Sequence, residues 1–235
     1  MKYDPSTKQK IYEVAKKLFI QEGFGVSSRK IASQAGVNLG LITYYFKTKN
    51  NIALMVLKEN HEIIGTHLKY VIDPEEDLLL YLVTYLNLCY QAHRSKNGHL
   101  FFIQMFEADL IEESIFTGNN QTLFYQKLVN TYMGGNGSSP EKNFSLFQSV
   151  LQGTVRNLFR RAQVMPEITY DDIFIYTIRA FFWGLGLPCT DSAVSDLKTR
   201  SDQAAETVIQ KYPHLLDPGV YLFQEDTIKN SLEHS

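Results

Sequence analysis

Apolar residues recur every three or four positions along most of this chain, and they almost never alternate one by one. The first segment shows the i, i+3, i+4, i+7, i+8 spacing of one helix face, at Ile11, Val14, Ala15, Leu18 and Phe19. Strands need a period of two, and no sustained run with that period occurs. The spacing therefore predicts an all-α protein.

Glycines, prolines and capping residues divide this pattern into separate helices. Near the N-terminus the sequence predicts a helix over Ser6–Glu22, two short helices capped by Ser27 and Asn38, and a longer helix from Lys49 to about Tyr70. Further helices are predicted over residues 75–94, 98–114, 120–133, 141–164, 170–187 and 191–211, followed by an irregular or short-helical tail over 212–235. The 235 residues fit either one large domain or a small domain fused to a larger one, and we expect the second arrangement, with domains at 1–53 and 54–235.

The two short helices meet at a turn that few residue types allow. Gly36 lies in this turn and can adopt the positive φ that a tight connection needs. On the second short helix Ile42 and Phe46 share one face, and the small residues Gly40 and Thr43 lie on the other. A helix with its side chains is about 10–12 Å across, close to the roughly 12 Å width of the B-DNA major groove. The pattern is typical of a helix-turn-helix.

Charge is distributed unevenly along the chain. Residues 1–53 carry nine basic and three acidic side chains, a net charge of +6, whereas the remainder carries 14 basic and 22 acidic ones. The net charge of the whole chain, −2, by itself argues against a nucleic-acid partner. A basic head on an acidic body instead favours a head that contacts a polyanion, with a chance fluctuation as the alternative.

Two stretches of the head resemble a known family. Ile31–Lys49 (IASQAGVNLGLITYYFKTK) and Ala15–Phe24 (AKKLFIQEGF) are similar to the DNA-binding domain of the tetracycline-repressor (TetR) family. The resemblance implies a three-helix DNA-binding domain followed by a larger helical domain that binds a ligand and dimerises. The chain departs from the family pattern at Lys30, Leu41 and Thr43, where members commonly have an acidic residue, a small polar residue and a tyrosine.

The resemblance and the predicted geometry together place the DNA contacts on the two short helices and at the start of the fourth helix. The expected contact residues are Ser28, Arg29, Leu39, Gly40, Leu41, Thr43, Tyr44, Tyr45 and Lys49. Leu39 and Leu41 predict apolar contact, for example with thymine methyl groups. Lys49 combines an ammonium with a helix N-terminus, which favours phosphate. For Tyr45 a place in the core is the alternative, and for Arg29 a solvated surface position.

The resemblance also implies a homodimer that binds double-stranded operator DNA, because two recognition helices about 34–36 Å apart read the two halves of a palindrome. It places the interface on two long helices of each body, here residues 141–164 and 170–187. The expected interface residues are Phe147, Val150, Leu151, Leu158, Ile178, Phe181, Phe182 and Leu185. The second helix is apolar nearly all round, so burial in the core of one subunit is the alternative.

In this family the middle helices of the body enclose a small-molecule pocket. The candidate lining residues are Tyr85, Cys89, Phe102, Met105, Phe106, Tyr125, Tyr132, Phe159 and Trp183, all of which would equally suit an ordinary core. Aromatic walls suit a small apolar or aromatic effector. Its binding would retune the heads through a coupling of about 1–3 kcal/mol. The implied function is a ligand-responsive transcriptional regulator, usually a repressor in this family.

Signatures of catalysis and metal binding are missing from the sequence. His61 and His67 are not four residues apart as zinc ligands on one helix require, and neither Cys-x-x-Cys nor Gly-x-Ser-x-Gly occurs. We therefore expect no enzyme activity, cofactor or metal. The other functional class that fits is a helical protein-interaction module that does not read DNA. No long apolar run and no apolar N-terminus occur, so we expect a cytoplasmic protein without a membrane partner.

Overall fold

The computed structural model describes residues 4–116, 120–135, 137 and 139–223, and within these ranges the chain forms helices and no β-strand. The α-helices are α1 Pro5–Glu22, α2 Ser28–Ala35, α3 Gly40–Phe46, α4 Lys49–Leu68, α5 Leu78–His93, α6 His99–Glu107, α7 Leu110–Phe116, α8 Asn120–Met133, α9 Pro140–Ala162, α10 Tyr170–Gly184, α11 Asp191–Lys211 and α12 Pro218–Tyr221. A short 3₁₀ helix over Pro213–Leu216 precedes α12. The predicted all-α class is confirmed. No helix in the described ranges is both long and apolar enough to cross a membrane.

Polar side chains at helix starts explain where several of these elements begin. The Ser27 hydroxyl accepts a hydrogen bond from the Lys30 amide at the start of α2, as predicted. At the start of α10, Thr169 and Asp172 form a reciprocal capping box. Each such cap satisfies amides that have no partner within the helix and contributes about 1 kcal/mol.

The segment predicted as one helix over residues 98–114 is two helices. α6 ends at Glu107 and α7 begins at Leu110, and Asp109 between them has φ of 61°. This left-handed conformation cannot continue a right-handed helix, and Asp tolerates it better than most residues with a side chain. The single-helix prediction was wrong because no glycine or proline marks the break.

The chain packs as two compact units. The first is formed by the described parts of Met1–His61, Ala92–Ser114 and His214–Ser235, and the second by those of Glu62–Gln91 and Ile115–Pro213. α4, α5 and α7 each contribute residues to both units. This partition is made by packing, and α6 belongs to the first unit because it packs on α1. The functional division into residues 1–53 and 54–235 stays a prediction.

Aromatic rings and one buried ion pair hold the first unit together. The Phe19 ring of α1 stacks on Phe101 of α6 with centroids 5.5 Å apart and lies 5.6 Å from the Phe24 ring. Lys16, also on α1, is buried, and its ammonium contacts the Glu59 carboxylate at 2.9 Å. A buried cation needs such a partner, so the pair fixes the first part of α4 against α1.

The second unit has its core between α9 and α10. A Cβ on Gly184 would lie only 2.9 Å from Phe147 Cδ2, so the absence of a side chain lets the two helices approach closely. The Phe147 ring contacts the Phe181 ring at 5.6 Å. Asn87 of α5 donates to the Asp202 carboxylate at 2.8 Å, which ties α11 to the same unit.

Candidate functional site

The turn between α2 and α3 has the geometry that the sequence predicted. Gly36 has φ 63° and ψ 38°, and its amide bonds to the last turn of α2. The Asn38 carboxamide oxygen accepts from the Gly40 amide at 2.9 Å, so Asn38 contributes to the start of α3 from two residues upstream. A left-handed glycine and a side-chain cap together direct α3 away from α2.

The faces of α3 are divided as predicted. Ile42 and Phe46 are buried in the first unit. The exposed residues are Leu39, Gly40, Thr43 and Tyr44, and Leu41 and Tyr45 are half-buried. Tyr44 is the most informative of these, because 48% of a bulky aromatic side chain is left in water. On α2, Arg29 is exposed and Ser28 is half-buried.

The two adjacent tyrosines of α3 have different environments. The rings of Tyr44 and Tyr45 contact each other edge to face at 5.0 Å. The Tyr45 hydroxyl accepts a hydrogen bond from the Asp4 amide at 3.0 Å, which connects α3 to the start of α1. Tyr45 is thus partly a packing residue, and its contact with phosphate stays a prediction.

Lys49 has partners within the protein. Its ammonium donates to the backbone carbonyls of Phe24 at 2.6 Å and Val26 at 3.0 Å and lies 4.0 Å above the Phe24 ring. Partial burial lowers the pKa of this ammonium. Lys49 therefore fixes the loop between α1 and α2. No sequence pattern indicates this role, because both carbonyls lie more than 20 residues away.

Other basic residues of the head are distributed between internal pairs and the surface. The Lys30 ammonium pairs with Glu22 at 2.5 Å on the surface. Lys10, which was not among the expected DNA contacts, is exposed, and its ammonium lies 3.7 Å from where a Cβ on Gly36 would be. This lysine places positive charge beside the turn, and only the packing of α1 against α2 reveals it. Among the described residues, no three His, Cys, Asp or Glu side chains are grouped to hold a metal ion.

Comparison with known proteins agrees with this geometry. Residues 11–56 match the family described as bacterial regulatory proteins, tetR family. The HTH-type transcriptional regulator SAR2658 of Staphylococcus aureus (strain MRSA252) is 32% identical over 120 residues, which cover 51% of this chain and 58% of that protein. The helix-turn-helix segment of this chain is therefore similar to the tetR family.

Further relatives of this chain include the HTH-type transcriptional regulator SA2364 of Staphylococcus aureus (strain N315). It is 30% identical over 131 residues, or 53% of this chain and 64% of that protein. The chain thus spans less than two thirds of the length of these curated relatives. The crystal structure of RolR in complex with the ligand resorcinol has the same fold, with a TM-score of 0.57 and 17% identity over 84% of this chain and 94% of that one.

The nine predicted pocket residues are divided between the two units. Phe102, Met105 and Phe106 are buried on α6 in the first unit. In the second unit Tyr85, Cys89 and Tyr125 are close enough to affect one another electrostatically, whereas Phe159 packs on Tyr90 and Tyr170. Tyr132 and Trp183 are 45% and 50% exposed, so a single subunit does not place them on an enclosed wall.

The predicted dimer residues are largely interior. Phe147, Leu151, Ile178, Phe181, Phe182 and Leu185 are buried within one subunit, and Val150 and Leu158 are half-buried. Six of the eight predicted interface residues therefore fit the alternative, which is burial in the core of one subunit. The exposed large apolar side chains of α9 and α10 are Leu146, Tyr176 and Trp183. Apolar spacing did not tell which faces of these two helices the subunit itself covers, and an interface on them stays a prediction.

Buried histidines form a separate group in the first unit. The His93 ring stacks on Phe102 at 3.8 Å, and neither of its nitrogens has a hydrogen-bond partner among the described residues. Burial lowers its pKa, and the nearby His61 and His99 lower it further. Burial also lowers the pKa of His61 to about 3. Both imidazoles are therefore neutral at physiological pH.

Proposed function

We propose that this chain is a cytoplasmic, homodimeric repressor of transcription that binds a palindromic operator through α3 and responds to a small-molecule effector. The observation that carries the proposal is the division of α3 into two faces. Ile42 and Phe46 are buried and hold the helix, while Gly40, Thr43 and Tyr44 are exposed on the other side. A helix held in this way can enter a major groove with its outer residues against the bases.

The surroundings of α3 support a duplex as its partner. The two small residues Gly40 and Thr43 allow close approach, and Tyr44 can reach a base or a phosphate. Exposed Arg29 lies at the start of α2, and Lys10 lies beside the turn. Positive charge at the start of α2 and beside the turn favours contact with the phosphates that border a groove.

The exposed apolar residues of α9 and α10 support a homodimer. Leu146, Tyr176 and Trp183 leave large apolar surfaces in water, and half-buried Val150 and Leu158 lie on α9 with Leu146. A second copy of the chain would cover these residues. It would also supply the second recognition helix that a palindrome requires.

A small-molecule effector is supported by the buried polar and aromatic cluster of Tyr85, Cys89 and Tyr125 in the second unit. RolR, which shares the fold, was crystallised with the ligand resorcinol. In this proposal the effector favours a conformation in which the two α3 helices no longer fit both half-sites, and binding to DNA weakens.

Selection of bound duplexes from a random pool tests the proposal. We expect enrichment of an inverted repeat whose half-sites are about one helical turn apart. On this duplex Tyr44→Ala should weaken binding about tenfold or more, equivalent to about 1.4 kcal/mol. Tyr132→Ala removes a tyrosine of similar exposure from α8 and should leave binding unchanged. Absence of any enriched duplex would favour the protein-interaction module.

A further inference from the structure

Two stripes of polar side chains lie against each other inside the second unit. On α5, Tyr81, Tyr85 and Cys89 are spaced four residues apart and share one side of the helix. On α8, Gln121 and Tyr125 have the same spacing. All five are buried, and the Gln121 amide nitrogen donates to the Tyr81 hydroxyl at 3.3 Å. The stripes therefore form one interior cluster of hydrogen-bonding groups.

Gln121 and Tyr125 of this cluster each have a side-chain atom without a hydrogen-bond partner among the described residues. Tyr81 donates its hydroxyl proton to the Gly65 carbonyl at 3.1 Å, so its oxygen can only accept from Gln121. This fixes the orientation of the amide and leaves Gln121 Oε1 without a hydrogen-bond partner among the described residues. The Tyr125 hydroxyl likewise has none. Buried polar atoms without hydrogen-bond partners destabilise the folded state, and a ligand that supplies those partners offsets the cost.

Tyr125 is surrounded by aromatic rings. The Tyr125 ring lies 5.0 Å from Phe116 and 6.2 Å from each of Phe147 and Phe181. Such aromatic surroundings favour a flat ring as the ligand.

The cluster is also uncharged. Burial raises the pKa of Tyr81 and of Cys89 to about 12 and the pKa of Tyr125 well above its usual value. The groups that perturb these pKa values are the phenols, the thiol and the Gln121 amide themselves. A charged ligand would lose its hydration here without gaining a counter-ion from the cluster.

We propose that this cluster binds an uncharged ring compound that carries hydroxyl groups. One ligand hydroxyl donates to Gln121 Oε1, and the Tyr125 hydroxyl forms a hydrogen bond with a ligand oxygen. The proposal rests on the effector response proposed above and defines its chemistry. A hydrocarbon ring of the same size would leave both protein atoms without partners, so the hydroxyl groups determine specificity.

Four probe compounds distinguish hydroxylated, hydrocarbon and charged ligands. Phenol and resorcinol are neutral and hydroxylated, toluene lacks a hydroxyl, and benzoate is charged. Calorimetry and thermal unfolding of the full chain should show that phenol and resorcinol bind and stabilise it. Toluene and benzoate should bind at least about fivefold more weakly, the loss expected for one hydrogen bond.

The decisive variant is Tyr125→Phe, which removes only the unpartnered hydroxyl. It should fold as well as the parent chain and bind phenol and resorcinol at least about fivefold more weakly. The matched control is Tyr90→Phe in the same unit, whose hydroxyl lies 3.1 Å from Thr177 Oγ1. It should lower stability and leave probe affinity unchanged. Gln121→Met, which removes the acceptor at similar volume, should behave as Tyr125→Phe does.

Three results would overturn the proposal: no stabilisation by phenol or resorcinol at millimolar concentration, equal affinity for toluene or benzoate, or unchanged probe affinity in both Tyr125→Phe and Gln121→Met. Duplex binding without probe, measured on the same samples, distinguishes failure of the ligand assignment from failure of the proposed function. If the operator is still bound, only the assigned ligand chemistry fails. If no duplex binds, the proposed function itself fails.

Discussion

Replacement of Lys49 by alanine tests the role that the structure gives to this residue. The change removes two ammonium–carbonyl hydrogen bonds, to Phe24 and Val26, and the contact with the Phe24 ring. Hydrogen bonds to charged groups contribute about 1.5–3 kcal/mol each, and an exposed cation–π contact about 0.5–1 kcal/mol. Lys49 is only half-buried and water replaces part of these interactions, so we expect a loss of about 2 kcal/mol.

Thermal unfolding of Lys49→Ala measures this loss. For a chain of this size, about 2 kcal/mol corresponds to a decrease of roughly 4–8 °C in Tm. Lys17→Ala, which removes an exposed lysine from α1, should leave Tm nearly unchanged. A Tm for Lys49→Ala equal to that of the parent would refute the structural role. The salt dependence of operator binding tests the phosphate role separately, because loss of one phosphate contact lowers the slope by about one.

Three further predictions concern the turn, the buried histidines and the subunit surface. Gly36→Ala should cost about 1 kcal/mol in urea unfolding, because Gly36 has φ of 63° and a Cβ there meets only Lys10, whereas Gly25→Ala, at an open position, should cost little; equal effects would contradict this. The pKa of His61 is about 3 in the folded state and near 6.5 in the unfolded state. Below pH 6.5 the unfolded state therefore binds more protons, and the free energy of unfolding decreases as the pH is lowered. About 2 kcal/mol should be lost from this residue at pH 5, and urea unfolding at pH 7.5 and 5.0 should show a smaller difference for His61→Gln, whereas an unchanged difference would argue against a neutral buried imidazole. Trp183→Lys should convert a dimer to monomers in sedimentation equilibrium while Tyr132→Lys does not; a dimer that tolerates Trp183→Lys has another interface.

The helix-turn-helix was predictable from sequence because its determinants are local. Gly36 and Asn38 define the turn, and the spacing of Ile42 and Phe46 defines the buried face of α3. Helix caps such as Ser27 are also read from neighbouring residues. Each of these features depends on atoms a few positions apart, where sequence spacing and distance in space nearly coincide.

Features that depend on distant partners were not predictable in the same way. The carbonyls that bind Lys49 belong to a loop more than 20 residues earlier. Apolar spacing on α10 could not distinguish buried Phe181 from exposed Trp183, because the helix is apolar on several sides. The break at Asp109 has no glycine or proline to mark it.

The polar cluster of the second unit was predictable from the sequence only in part. Tyr85 and Tyr125 were among the predicted pocket residues, but Tyr81 and Gln121 were missed. The spacing of four residues on α5 and α8 was present in the sequence and would have identified both. That these two stripes face each other is a property of the packing and could not be inferred from either helix alone.

Fluorescence anisotropy titrations of the selected operator at increasing salt measure whether α3 reads duplex DNA. We expect tight binding at low ionic strength, with the logarithm of affinity falling linearly and steeply as the logarithm of salt concentration rises. A chain that binds no duplex at low ionic strength, or binds with an affinity independent of salt, would contradict this expectation.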